Sequence, residues 1–411
     1  MKRGFLNRAK AKKALSSTTR VVHNTPIDDY PRGTKFSYGK VADAGPPEGY
    51  TEHQTFTKEM NAERLDHPEG RLLYTTIPAQ YSNSSYDDEP IGWSECLITG
   101  SVKRQIYETP EFGRAPPQSD RVSFRIRPTP DMGLGMFATC SLKMGDLILS
   151  ERPLIVTPVV ARPDVQIPRS FTHEQIRQVI LFEWEKNLEI CVDRMFPENR
   201  KAFYTLANAH TEDGSGPIMG RIRTNGYGVI EKLYDKELAH LAVCDKLSYI
   251  NHSCRPNVTQ DFDVASFSFQ LRASRDIKPD EQLFYSYCEV DSSATDRKRQ
   301  LARYGFECIC ASCSGDTANS DYIRMNVDAL ISQNKIECEA WTRKPRHLRD
   351  DSVLRSSLDL LSDVENEGLH SSDSYPILVR SISEIYTQLG DMEDAKSYLH
   401  RQEAWKTAFK A

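Results

Sequence analysis

The sequence predicts an α+β fold with a β-rich centre, a helical insert within that centre and a helical C-terminal region. Three observations predict it. Val122-Ser123-Phe124-Arg125-Ile126-Arg127 alternates in polarity with period two, as a half-buried strand does. Thr172 and Gln175 stand at capping-box spacing ahead of Ile176, Val179, Ile180 and Trp184, which keep one helical face. Beyond Cys313 apolar residues recur at helical spacing, first Ile323, Val327, Leu330 and Ile331 and then Leu354, Leu358 and Leu361.

At 411 residues the chain exceeds the size at which one core keeps growing, so two or three substructures are expected. A formal net charge of −5 argues against general binding of nucleic acid by electrostatics, and no sequence-specific nucleic-acid contact is expected. No run of eighteen apolar residues exists, so no membrane span or membrane partner is expected. Of ten cysteines, three fall within six residues, too tight for independent disulfides and suited to a metal, which points to a reducing compartment, nucleus or cytoplasm. The first 22 residues carry Lys2, Arg3, Arg8, Lys10, Lys12, Lys13 and Arg20, with no acid before Asp28. A solvated tail, a basic import or nucleic-acid tail and an acid-poor mitochondrial presequence all fit that pattern.

Residues 1–119 are expected to form an irregular, partly disordered leader. Gly45-Pro46-Pro47 and Ala115-Pro116-Pro117-Gln118 break it, and apolar islands such as Leu72-Leu73-Tyr74 and Ile91-Gly92-Trp93 dock locally. Regular structure is expected over 120–291, where Leu147-Ile148-Leu149, Leu154-Ile155-Val156 and the alternating Phe267, Phe269 and Leu271 read as strands. The helical insert spans about 172–210, with a second helix starting near Pro197 and carrying Phe203 and Leu206. Residues 292–316 hold the cysteine cluster. Residues 317–411 are helical, and their last pair, turning at Gly390-Asp391, looks like one tetratricopeptide-type hairpin.

The chemistry concentrates in Ser248-Tyr249-Ile250-Asn251-His252-Ser253-Cys254-Arg255-Pro256-Asn257. Polar side chains in such a row must each find a hydrogen bond, a ligand or a metal once buried. Upstream lies Gly133-Leu134-Gly135-Met136-Phe137-Ala138, and downstream lie Glu281-Gln282-Leu283-Phe284-Tyr285-Ser286-Tyr287 and Arg303-Tyr304-Gly305-Phe306-Glu307-Cys308-Ile309-Cys310-Ala311-Ser312-Cys313. Cys308-x-Cys310-x2-Cys313 offers three thiolates from one loop, and tetrahedral zinc asks for a fourth ligand.

Taken in that order over roughly residues 120–314, these four pieces resemble the SET domain of protein-lysine methyltransferases, in particular the SET-and-MYND kind. The resemblance implies a β-rich SET fold with a pseudoknot, a post-SET zinc site and S-adenosylmethionine as methyl donor. It implies Tyr287 as the catalytic tyrosine. It places the cofactor on Gly133, Leu134, Gly135, Met136, Asn225, Ser248, Asn251, His252 and Phe306, and the substrate channel on Tyr249 and Tyr304. It supplies Cys254 as the fourth zinc ligand beside Cys308, Cys310 and Cys313. Residues 151–253 contain only Cys191 and Cys244, so the MYND finger is absent from that stretch, and Asp280 stands where the family usually has Gly. The expected function is methylation of a lysine in a protein substrate, histone or non-histone. The alternatives are a catalytically silent SET-fold scaffold that binds peptides, and methylation of a non-protein amine.

Overall fold

A computed structural model describes residues 46–51, 64–78, 92–159, 165–211, 214–229, 239–315 and 317–409. The basic segment 1–22 lies outside the described residues. The short apolar runs become strands β1 (Leu72–Ile77), β2 (Ser94–Thr99), β3 (Phe124–Pro128), β4 (Leu134–Ala138), β5 (Leu147–Glu151) and β6 (Ile155–Pro158). After the insert come β7 (Tyr227–Gly228), β8 (His240–Val243), β9 (Asn251–His252), β10 (Val258–Asp263), β11 (Ser268–Ala273) and β12 (Phe284–Tyr285). They assemble into a five-stranded sheet of order β1-β2-β6-β8-β7, a three-stranded sheet β10-β11-β5, and the pairs β3-β4 and β9-β12.

Residues 72–77 and 94–108 correct the expectation of an irregular leader. Strands β1 and β2 pair antiparallel in full register, β2 runs parallel to β6, and helix α1 (Gly100–Glu108) follows, capped by the Thr99 hydroxyl. Every residue of β2 is buried, so its side chains show no alternation to read. Its charge is hidden by a distant partner: Glu95 accepts from Arg194 at 2.7 Å and from Thr76 at 2.9 Å. A buried, paired carboxylate looks in sequence like a loop residue.

The insert forms as its caps dictate. Helix α2 (His173–Asp193) begins with the reciprocal Thr172–Gln175 capping box, and α3 (Pro197–Thr205) begins with Pro at its first turn. A third helix, α4 (Pro217–Asn225), extends the insert beyond residue 210. Its N-terminus is capped from outside, since the Glu185 carboxylate of α2 accepts from Ile218 N at 2.7 Å and Met219 N at 2.9 Å. Burial nevertheless pushes that carboxyl up to about 7.

After α5 (Ala294–Leu301) the C-terminal region stacks α6 (Ala318–Thr342), α7 (Ser352–Asn366), α8 (Tyr375–Leu389) and α9 (Met392–Phe409). Helix α8 ends in Gly390 at φ 91°, a left-handed conformation that Gly adopts without a Cβ penalty. Three main apolar cores result, one among the strands, one under α2 to α4 and one among α6 to α9. Asp280 adopts φ 65°, the left-handed region that the expected Gly would occupy freely and Asp tolerates better than most residues.

Candidate functional site

The polar row at residue 251 is read by the segment that lies against it. Strand β12 runs parallel to β9, setting Phe284 beside Asn251 and Tyr285 beside His252. Asn257 clamps the crossing: its Oδ1 accepts from Phe284 N at 2.7 Å, and its Nδ2 donates to the Gln282 carbonyl at 2.9 Å. Asn251 donates to the Leu134 carbonyl at 3.2 Å, which ties the glycine-bearing strand β4 to the same crossing. Gly133 is needed in the turn before β4, where φ is 67° and its carbonyl accepts from the Thr129 hydroxyl at 2.9 Å.

These contacts build one wall of a cavity of about 520 Å³, within the usual range for small-molecule sites. Gly133, Asn251, His252, Tyr287, Tyr304, Phe306, Cys308 and Cys310 line it, all named from the sequence. Asp131, Met132, Ser253, Phe284, Glu307 and Ile309 also line it and were missed, because only the fold brings flanking residues to the rim. The rings pack tilted or edge to face, Tyr287 at 5.2 Å from both His252 and Tyr304 and 6.4 Å from Phe306. The Tyr287 hydroxyl donates to the Ile250 carbonyl at 2.6 Å, so the phenol is neutral in this arrangement.

The structure does not bring every expected residue to this cavity. Asn225 spends its amide N–H groups on the Ala207 and Arg221 carbonyls, both at 2.8 Å, and Ser248 donates to the Cys244 carbonyl. Tyr249 packs on the core beneath the helical insert, and Met136 is fully buried among the strands. Leu134 and Gly135 meet the site through their backbone, and Gly135 has no room for a Cβ, which would stand 3.0 Å from Asn251 Nδ2 and 2.8 Å from Thr129 Cγ2.

Beside the cavity Cys254, Cys308, Cys310 and Cys313 converge, their sulfurs all within 4.8 Å of one another. A tetrahedral ion with Zn–S bonds of about 2.3 Å sets sulfurs about 3.8 Å apart. Cys254 lies 3.8 Å from Cys308 and 3.4 Å from Cys313. Hydrogen bonding among the four thiols moves them in opposite directions, Cys310 and Cys313 below the ordinary thiol range and Cys254 and Cys308 above it.

His252, Cys254 and Cys288 form a second compact group, which proton placement excludes as a neutral-imidazole metal site. The Tyr287 backbone N–H donates to His252 Nδ1 at 2.9 Å. A neutral imidazole must then carry its proton on Nε2, which faces Cys254 Sγ at 3.3 Å and donates to it. His252 therefore sits behind the four-cysteine set and links the Cys254 sulfur to the backbone of Tyr287.

Residues 133–288 match the sequence profile described as the SET domain. The chain is similar to the Schizosaccharomyces pombe protein named histone-lysine N-methyltransferase set5, 28% identical over 46% of this chain and 50% of the relative. It is also similar to the Homo sapiens N-lysine methyltransferase SMYD2, 30% identical over 29% of this chain and 27% of the relative. The chain thus spans half the length of the first relative and about a quarter of the second. A solved SET domain of LSMT bound to lysine and AdoHcy aligns with 71% of this chain and 86% of its own, at 12% identity and a TM-score of 0.27.

Proposed function

We propose that this chain, whose residues 133–288 form a SET domain, transfers a methyl group from S-adenosylmethionine to the side-chain amine of a lysine in a protein substrate. The observation that carries the reading is the neutral phenol of Tyr287 at the wall of a small-molecule cavity, with the Asn251 carboxamide beside it. Asn251 Oδ1 is buried and has no hydrogen-bond partner, an orphaned acceptor that the amino group of the donor's methionine end would satisfy. Phe306, 37% exposed over the cavity, offers a face for an adenine ring.

S-Adenosylmethionine supplies an electrophilic methyl group on a sulfonium and leaves as a thioether once the nitrogen has taken the methyl. The chain's own residues position and shield. Tyr287 and Tyr304 wall the reaction path with rings that exclude water and align the amine with the methyl group. A lysine amine, with an ordinary pKa of about 10.4, attacks only after losing its proton, which passes to bulk water before the amine enters the ring-walled path. Tyr287 is not poised as the base, because it holds its own proton against Ile250. Its hydroxyl instead fixes the polar environment at the methyl group.

A second cavity, of about 660 Å³, is lined in part by Tyr285, Ser286 and Cys288, neighbours of Tyr287 along the chain. Cys254, Cys308, Cys310 and Cys313 would hold one structural zinc ion, since the donor set and its spacing suit tetrahedral coordination. The relatives' names support a histone or another protein as substrate, and the proposed location is nucleus, cytoplasm or both. No helix among the described residues is long and apolar enough to cross a membrane.

Incubating the purified chain with methyl-labelled S-adenosylmethionine and a cell lysate, then mapping label by mass spectrometry, tests the reading. Label on lysine side chains supports it. Absence of calorimetric binding of S-adenosylmethionine would leave a silent scaffold, and label confined to small amines would leave a non-protein substrate.

A further inference from the structure

The cysteine centre is enclosed by charges that its four sulfurs do not explain by themselves. Arg324 of α6 has no exposed side-chain surface, yet it lies in the C-terminal region, 70 residues along the chain from Cys254. It donates to the Cys254 carbonyl at 3.2 Å, to the Ser312 hydroxyl at 2.8 Å and to Glu367 Oε2 at 3.0 Å. Arg297 of α5, equally buried, donates to the Ser312 carbonyl at 2.7 Å and stands 3.7 Å from Cys313 Sγ. Arg255, next to Cys254, reaches Ser312 at 2.5 Å and Glu367 at 3.0 Å. Ser312 lies inside the Cys310-x2-Cys313 loop, so all three guanidiniums converge on the metal-binding hairpin.

Three buried or half-buried guanidiniums need a counter-charge, because burying cations without one is costly. Glu367 and Asp321, the latter 3.7 Å from Arg297 and 24% exposed, supply two negative charges and leave an excess of one positive charge. Four neutral thiols would leave that excess uncompensated, whereas a divalent ion held by four thiolates carries two negative charges and offsets it.

Resting on the zinc reading above, we infer that Arg324, acting with Arg297 and Arg255, is a positioning residue: it neutralises the tetrathiolate centre and thereby makes the C-terminal helices part of the cofactor cavity. The route is short. Phe306, Glu307, Cys308, Ile309 and Cys310 line that cavity and belong to the loop that the guanidiniums hold. The C-terminal helices then do more than pack. They set the charge that keeps the metal, and the metal keeps the cavity wall.

The test uses full-length chain and follows zinc release to a chromophoric chelator at neutral pH, together with calorimetric titration of S-adenosylhomocysteine. Arg324→Met should release zinc about tenfold faster or more, and weaken S-adenosylhomocysteine binding, the scale on which groups behind a metal's ligands act. Arg324→Lys, which keeps the charge and loses the fork, should recover at least half of that loss on a logarithmic scale. Leu378→Ala, a cavity in the fully buried core of α8, should lower stability without speeding release. If Arg324→Met does not fold, Arg255→Met at the half-exposed position should shift release in the same direction. Release from the methionine variant at the wild-type rate, or release from Leu378→Ala as fast as from Arg324→Met, overturns the inference. Wild-type protein without bound zinc overturns the zinc reading and this inference with it, whereas failed methyl transfer with normal zinc behaviour touches only the proposed function.

Discussion

Replacing Tyr287 with Phe separates chemistry from packing. The substitution deletes one oxygen and one hydrogen bond, the 2.6 Å donation to Ile250, and leaves the ring against His252 and Tyr304 at 5.2 Å. A buried neutral hydrogen bond contributes about 1 kcal/mol net, so unfolding free energy should fall by about that much. The donor cavity should remain, and S-adenosylhomocysteine affinity should change by no more than about threefold. The transfer step should suffer far more, because a fixed polar group at the reacting centre is worth about 3 kcal/mol or a hundredfold in rate. Single-turnover transfer of labelled methyl to a lysine-bearing protein substrate measures the loss, with urea unfolding and calorimetry run in parallel. A variant within about fivefold of wild-type rate refutes the role given to Tyr287. A fall in stability above about 3 kcal/mol would instead mark the hydroxyl as a structural group.

Three further outcomes are expected. Cys310→Ser should lower zinc content, measured by plasma emission, from about one ion per chain to a small fraction, with S-adenosylhomocysteine affinity falling alongside it; wild-type zinc content would count against the four-cysteine site. His252→Leu leaves the Tyr287 N–H without its acceptor and Cys254 without its donor, so stability should drop by about 1–3 kcal/mol and zinc should be released faster, and an unchanged urea midpoint with unchanged release would remove His252 from its linking place. His370 is buried, and burial first, then the Arg275 charge, lowers its pKa from 6.5 to about 4. Because the folded pKa lies below the unfolded one, its contribution is present above about pH 6.5 and is lost as pH falls toward 4. The loss should be about 2 kcal/mol between about pH 7.5 and about pH 5 by urea unfolding. His370→Gln should remove that increment of the pH slope, and an identical slope in both proteins would show that another group carries it.

Local chemistry made part of this fold readable. The Thr172–Gln175 capping box and Gly390 act through their immediate neighbours, so the residues alone announce a helix start and a helix stop. Strands β1 and β2 were not readable, because what makes them strands is remote: Glu95 is acceptable in a buried strand only when Arg194, 99 residues later, meets it. The same asymmetry governs the site. Motif residues that act through a direct side-chain contact with their own crossing, such as Asn251, His252 and Tyr287, assemble round one cavity. Asn225 and Ser248 satisfy themselves on carbonyls four residues back, at Arg221 and Cys244, which a motif reading does not reveal.

Proton placement on His252 adds what neither motif nor spacing supplies. A single acceptor position, Nδ1 facing the Tyr287 amide, dictates that the other nitrogen donates to Cys254. The Cys254 sulfur, the imidazole and the tyrosine backbone then form one chain of hydrogen bonds. Arg324 reaches the same sulfur-bearing residue through its carbonyl from the C-terminal side. Two regions with separate apolar cores therefore meet on Cys254, which His252 reaches at the sulfur and Arg324 at the carbonyl. A change in any one of them reaches the others through hydrogen bonds of 2.9–3.3 Å, which is why zinc release, cofactor affinity and methyl transfer should fail together in some variants and apart in others.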